Sequence, residues 1–184
     1  MKLIALYSST PGCGKSTIAR YLETKHGYKR VSFADPMRAM LTGLYESVGL
    51  TPTRSMSLLN DKKDLDAPLP YSPTSRHLLR TLGTEWGRQC IGPAFWAEIW
   101  RRRASFMLEL GSKVVCDDLR FPEELQAVAD AGGITWKVQN GETADTVEHP
   151  SDGALDYVTD WDGLINNNAS LHELESNIEF LLQL

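Results

Sequence analysis

Cysteine is scarce in this chain. Cys13, Cys90 and Cys116 are odd in number, widely spaced and without the paired spacing of a zinc site. That argues against a disulfide-stapled fold and fits free thiols in a reducing cytoplasm. No apolar run approaches the roughly 18 residues needed to span a bilayer, so no membrane association is expected. The apolar part of the first ten residues is too short for a secretory signal and reads as a strand entering a loop. Internal repeats and low-complexity segments are absent. Lysine and arginine are missing from residues 138–184, which hold ten acids, whereas residues 1–137 carry all 19 basic residues against 14 acids. Any cation that serves a phosphate must therefore come from the first three quarters of the chain. A net charge of −5 also makes non-specific coating of DNA a poor expectation.

What is present describes one domain of ordinary size. The 184 residues, 42% hydrophobic and 23% charged, suffice to bury about 70% of the surface that the unfolded chain exposes. Short apolar runs at 2–7, 28–33, 113–117, 134–138 and 161–165 read as strands. Helical patterns fall at 15–26, 36–48, 74–83, 94–110, 122–131 and 170–184. Gly27 suits the first helix stop, Pro36 a helix start, and Ser170 with Glu173 a capping box. Residues 49–73 and 139–160 look like loops or irregular insertions. Strands alternating with helices predict an α/β fold, a five-stranded parallel sheet with helices on both faces. Ligands of such sheets bind at the carboxyl ends of the strands.

The strongest motif lies at the first of those ends. Ser9-Thr10-Pro11-Gly12-Cys13-Gly14-Lys15-Ser16-Thr17 follows a strand and opens a helix, the context a phosphate loop requires. Glycines let backbone N–H groups turn onto an anion, and the helix N-terminus adds about half a positive charge. Gly12, Cys13, Gly14, Lys15, Ser16 and Thr17 are thus the expected ATP-binding residues, with Lys15 on the β- and γ-phosphates and the Ser16 hydroxyl on Mg2+. Ser9 stands where the usual pattern has glycine. Cys13 reads either as a low-pKa thiol beside a helix N-terminus or as a small residue that fits the loop.

The third strand ends in Asp117-Asp118-Leu119-Arg120. An acid here commonly helps to hold the metal, and Asp118 is the expected ligand beside Ser16; a helix-capping acid is the plainer alternative. By strand alternation Asp118 and Arg120 project to one side, and the Arg120 guanidinium suits phosphate oxygens. Lys15, Asp118 and Arg120 are the catalytic candidates. Arg101, Arg102 and Arg103 span too much of a helix turn to face one site together. Asp35 reads equally as a partner of a sugar or base and as a cap for the helix that Pro36 begins.

Several segments together resemble the bacteriophage deoxynucleoside monophosphate kinases. They are the phosphate loop; Phe33-Ala34-Asp35-Pro36 with Arg38; Arg76 through Arg88 with Phe95-Trp96; Asp118 through Glu124; and His149 through Asp152 with Leu164 through Asn167, Ser170 and Leu171. The second-last and third are the most specific. The resemblance implies a P-loop kinase fold with a helical acceptor-binding insertion at about 36–110 and a lid-like loop at about 139–160. It implies transfer of the ATP γ-phosphate to a deoxynucleoside 5′-monophosphate, a small-molecule acceptor. It places Arg38, Arg76 and Arg88 near that acceptor, Trp86 and Trp96 at its base, and Asp118 and Arg120 beside the transferring group. Where the family has glutamate, this chain has Asp152.

Two rival readings stay open. One is a P-loop kinase that phosphorylates a hydroxymethylated base in phage DNA, the only reading with a nucleic-acid partner; it needs a general base for the hydroxyl. The other is a non-catalytic nucleotide switch. A homodimer is compatible with the sequence and not required by it.

Overall fold

The computed structural model describes residues 1–71, 73–141 and 153–183. His149 and Asp152, with residues 142–152 of the expected lid-like loop, lie outside the described residues. The chain forms two compact units, residues 1–33 with 97–184, and residues 34–96. The second unit begins at Ala34 and ends at Trp96.

The first unit is the parallel sheet. Strands β1 (Leu3–Tyr7), β2 (Tyr28–Arg30), β3 (Lys113–Leu119), β4 (Ile134–Gln139) and β5 (Gly163–Asn166) lie in the order β2-β3-β1-β4-β5, all parallel. The β1 strand is apolar throughout because both its faces are covered. Leu3, Ala5 and Tyr7 point into a core shared with Ala97, Trp100 and Ala104 and with Ala127 and Val128. Ile4 and Leu6 point the other way, onto Ile18, Ala19 and Leu22 of α1 (Lys15–His26) and Leu174, Ile178 and Leu181 of the C-terminal helix. The indole N–H of Trp100 donates to Val31 O at 2.8 Å, which settles that side chain in the core.

Two connections decide where a ligand can sit. From β1 the chain crosses over β3 to reach β2; from β3 it crosses over β1 to reach β4. The loops after β1 and β3 therefore part in opposite directions from neighbouring strands, which opens a crevice at the carboxyl edge. The β1–β3 ladder also breaks there. Ala5 pairs with Cys116 but Tyr7 pairs with Leu119, so three residues of β3 span two of β1. The extra residue bulges β3 at its two acids and shifts the phase of every side chain beyond.

In the second unit, α2 (Asp35–Ser47), α3 (Pro52–Asn60) and α4 (Ser75–Thr81) pack Leu41, Tyr45, Leu58 and Leu59 into a core of their own. The α3 helix lies in the segment expected to be irregular. Thr51 accepts from Arg54 N and Pro52 takes the first turn, a start signal strong enough to outweigh the surrounding Pro, Ser and Asp. A ten-residue π-helix, Leu82–Ile91, continues α4. It is followed by α5 (Phe95–Glu109), which carries the chain back to the first unit. The remaining helices are α6 (Pro122–Asp130) and α7 (Leu171–Leu182), the latter capped by Ser170 and Glu173 as expected.

Candidate functional site

The loop between β1 and α1 is built around left-handed backbone. Gly12 has φ of 77° and Gly14, the residue that caps α1, has φ of 103°. A side chain is strained at either position, which explains the glycines. Ser8 ties the front of the loop, its hydroxyl accepting from Thr10 N at 3.1 Å. Cys13 is buried among the α1 and α7 residues of the core, so it acts as a small packing residue, not an exposed thiol. No acid stands in the first turn of α1, leaving its partial positive charge for an outside anion.

Lys15 and Ser16 emerge at the start of that helix. Lys15 Nζ lies 3.6 Å from Cys13 Sγ. Burial pulls the ammonium below the ordinary lysine range; the neighbouring Arg120 pulls the same way, while the Cys13 sulfur and Asp117 oppose it. A cation held in a half-dry cleft beside a second cation is a strong attractor for phosphate. Thr17 N donates to Gly14 O at 3.0 Å, which begins the helix.

Of the two acids that end β3, it is Asp117 that lies against Ser16. Ser16 Oγ donates to Asp117 Oδ2 at 2.9 Å. Arg30 braces the pair from β2: Nη1 is 3.3 Å from Asp117 Oδ2, and Nη2 donates to Ser16 O at 3.2 Å and meets Glu23 Oε2 at 3.2 Å. Asp118, the expected metal ligand, receives Phe33 N–H at 2.9 Å and the Cys116 thiol at 3.2 Å on its Oδ1. The bulge gives the two acids these different surroundings. Cys116 and Leu119, three residues apart, share one face of the sheet, so alternation cannot be counted through 117 and 118, and the one-sided placement of Asp118 and Arg120 loses its basis. The hydroxyl of Ser16 and the carboxylate of Asp117 are hard oxygen donors, and such a pair with nucleotide phosphates and water suits Mg2+. The described residues hold no cluster of three or more His, Cys, Asp or Glu that would make a separate metal cage.

Arg120 follows immediately. Glu124 Oε2 accepts from both Arg120 N and Phe121 N, at 2.8 and 3.1 Å, fixing the turn from β3 into α6 and with it the base of the exposed Arg120 side chain. Arg101 and Arg102 are both held by Glu98, at 2.8 and 3.1 Å, so the α5 cluster is a paired surface. The carboxyl of Glu98 is drawn down to about 2, chiefly by those hydrogen bonds.

The expected acceptor residues lie in the second unit. Asp35 begins α2 and pairs with Arg38 at 3.1 Å within one helical turn. Arg76 grips Asp64 with two nitrogens, Nη2 at 2.8 Å from Oδ2. Trp86 and Arg88 sit on the π-helix, a widened geometry that recurs at functional sites. Trp86, Phe95 and Trp96 form an aromatic cluster, with ring centroids 4.8–5.7 Å apart. Trp96 is buried and donates to Gly83 O at 3.0 Å, whereas Trp86 is 39% exposed. Of the two, only Trp86 is exposed.

Two residues of the site were not among the expected ones. Arg30 ends a three-residue strand and Asn167 follows β5; Asn167 Nδ2 donates to Cys13 O at 2.9 Å. Both stand at carboxyl ends of strands, and Asn167 also lies in the Leu164–Asn167 segment of the resemblance.

Sheet order, phosphate loop and the Ser16–Asp117 pair define the P-loop kinase fold. No family model matches the chain. Over 187 residues, covering 97% of this chain and 94% of its relative, it is 27% identical to a protein of Acanthamoeba polyphaga mimivirus named "Putative deoxynucleotide monophosphate kinase". Among solved structures, TT1252 from Thermus thermophilus matches with a TM-score of 0.50 and 18% identity, over 98% of this chain and 96% of that one. Dephospho-CoA kinase from Campylobacter jejuni gives 0.48 and 14%, over 99% and 96%.

Proposed function

We propose that the protein is a nucleotide kinase that transfers the ATP γ-phosphate to a deoxynucleoside 5′-monophosphate, with Mg2+ as the metal. The observation that carries this reading is the convergence of Lys15, Ser16 and Asp117 at the mouth of a glycine loop. The acceptor class is supported by the resemblance of the Arg76–Arg88 and Asp118–Glu124 segments and by the name of the mimivirus relative.

The chemistry asks little of the protein beyond position and charge. An acceptor phosphate is already anionic at neutral pH, so its oxygen attacks the γ-phosphorus without a general base while the bond to the β-phosphate oxygen breaks and ADP leaves. Loop amides and Lys15 hold the β- and γ-phosphates, and Arg120 stands ready for the charge that shifts between them. Ser16 and Asp117 would hold the metal, which neutralises phosphate charge when bound. Arg38, Arg88 and Trp86 are assigned to the acceptor's phosphate and base.

The test is ADP release with ATP and Mg2+ against dAMP, dCMP, dGMP, dTMP and 5-hydroxymethyl-dUMP, with ribonucleotides and a hydroxymethyluracil-containing duplex alongside. Turnover on one or more free deoxynucleotides, lost in Lys15→Ala, is expected. Turnover on the duplex alone, or nucleotide binding with no acceptor-dependent turnover, would overturn the reading.

A further inference from the structure

The segment Asn166-Asn167-Asn168 leaves β5 at the carboxyl edge of the sheet, and the kinase reading gives it no task. Its first and second members continue the sheet. Gln139 Nε2 donates to Asn166 Oδ1 at 2.6 Å, and Asn167 N donates to Gln139 O at 2.8 Å. With its backbone so anchored, Asn167 extends its side chain 154 residues back in sequence to Cys13 O, at 2.9 Å. The acceptor is a carbonyl, so the amide nitrogen must face it. The contact is close on the other side too: a Cβ built on Gly14 would lie 2.4 Å from Asn167 Nδ2.

The peptide that Asn167 grips joins Cys13 to Gly14. A trans peptide is planar, and its C=O and N–H point in opposite directions. Fixing Cys13 O therefore also fixes the direction of Gly14 N–H, which turns away from Asn167. Gly14 lacks the Cβ that would narrow its backbone angles, so its own sterics hold this peptide only weakly. Gly14 is also the residue immediately before Lys15 and caps α1, where an anion meets the helix.

We infer that Asn167 is a positioning residue of the phosphate site: it locks the Cys13–Gly14 peptide so that Gly14 N–H faces the nucleotide phosphates, without touching the nucleotide itself. The inference rests on the nucleotide-binding half of the reading above and is independent of the acceptor. Its consequence is that Asn167 governs affinity for the phosphate chain and not for the base.

The experiment compares wild type, Asn167→Ala and Asn167→Asp, the last keeping the shape but replacing the donor with a second acceptor. Affinities for Mg-ADP and for Mg-tripolyphosphate, which has no base, are measured by calorimetry, with thermal unfolding of each unliganded protein alongside. Asn167→Ala is expected to weaken both probes by roughly five- to tenfold, the worth of one ordering hydrogen bond. Asn167→Asp should weaken them at least as much, because its carboxylate repels the Cys13 carbonyl. Unchanged affinities in a folded variant overturn the inference, as does a loss confined to ADP, which would put Asn167 on the base. If both variants unfold, Asn167 is a stability residue and the inference falls. Failure of wild type to bind either probe would instead remove the proposed function.

Discussion

Ser16 and Asp117, separated by 101 residues of sequence, meet through a 2.9 Å hydrogen bond at the carboxyl edge of the sheet. The bond joins the first turn of α1 to the bulge of β3. Arg30 touches both partners, Asp117 through its carboxylate and Ser16 through its carbonyl. The two candidate metal donors are thus placed before any ligand arrives, so little reorganisation is left for binding.

The two acids at the end of β3 have different partners, and under the proposed function they serve different roles. Asp117→Asn should lower kcat/KM by roughly a hundredfold or more and raise the Mg2+ concentration needed for half-maximal rate, because the metal loses a charged donor. Asp118→Asn should mainly lower Tm, since Oδ1 of Asp118 serves Phe33 N–H and the Cys116 thiol. A Mg2+ titration and a melting curve for each variant decide it; a steeper metal requirement in Asp118→Asn than in Asp117→Asn would reverse the assignment.

Lys15 carries a cost in the empty protein. Its pKa is lowered on folding, mainly by burial, so between the folded and unfolded values the unfolded chain binds more protons and stability rises with pH. Lys15→Met should therefore raise the Tm of the unliganded protein, on the order of 2 °C, while abolishing turnover. Mg-ADP should stabilise the wild type and leave the variant unmoved.

Helices α1 and α7 share a small polar tie with limits at both ends of the pH scale. Tyr21 and His26 both bond Glu179 Oε1, each at 2.7 Å. The Tyr21 phenol is pushed up to about 12, chiefly by its hydrogen bond to Glu179, so its contribution is present below about pH 10 and lost as pH rises toward 12. The Glu179 carboxyl is lowered, first by Tyr21 and then by His26, so its contribution holds above the ordinary glutamate range and disappears as pH falls through the lowered value. Glu179→Gln should match wild-type Tm at the acid and alkaline extremes and fall below it between. Parallel curves at every pH would show that the tie contributes nothing.

In the second unit the aromatic pair should divide cleanly. Trp96→Ala opens a cavity beneath the π-helix and should cost about 3–5 kcal/mol. Gly87→Ala should be comparably damaging, because an added Cβ would stand 2.0 Å from Trp96 Nε1. Trp86→Ala, at an exposed ring, should leave Tm within about 2 °C of wild type and raise the acceptor KM instead. Denaturation midpoints and acceptor titrations for the three variants make the comparison.

Local chemistry made much of this protein readable from its residues. The glycine loop, the α1 helix ended by Gly27, the Ser170–Glu173 cap and the alternation of strands and helices all depend on neighbours within a few positions, and each stands where the sequence indicates. The Thr51-Pro52 start of α3 was equally local, and the polar composition around it hid the signal. The π-helix over 82–91 had no comparable local signature, since its Gly83 and Gly87 give way to Met37 and Trp96. Which of Asp117 and Asp118 meets Ser16 was likewise out of reach. It depends on a bulge that exists only once β3 pairs with β1, and a one-residue change of register exchanges the faces of the sheet. Arg30 and Asn167 join the site for the same reason. Strand order sets β2 beside β3 and β5 beside β4, and that order arises from the crossovers of the chain, where side chains more than 80 residues apart first meet.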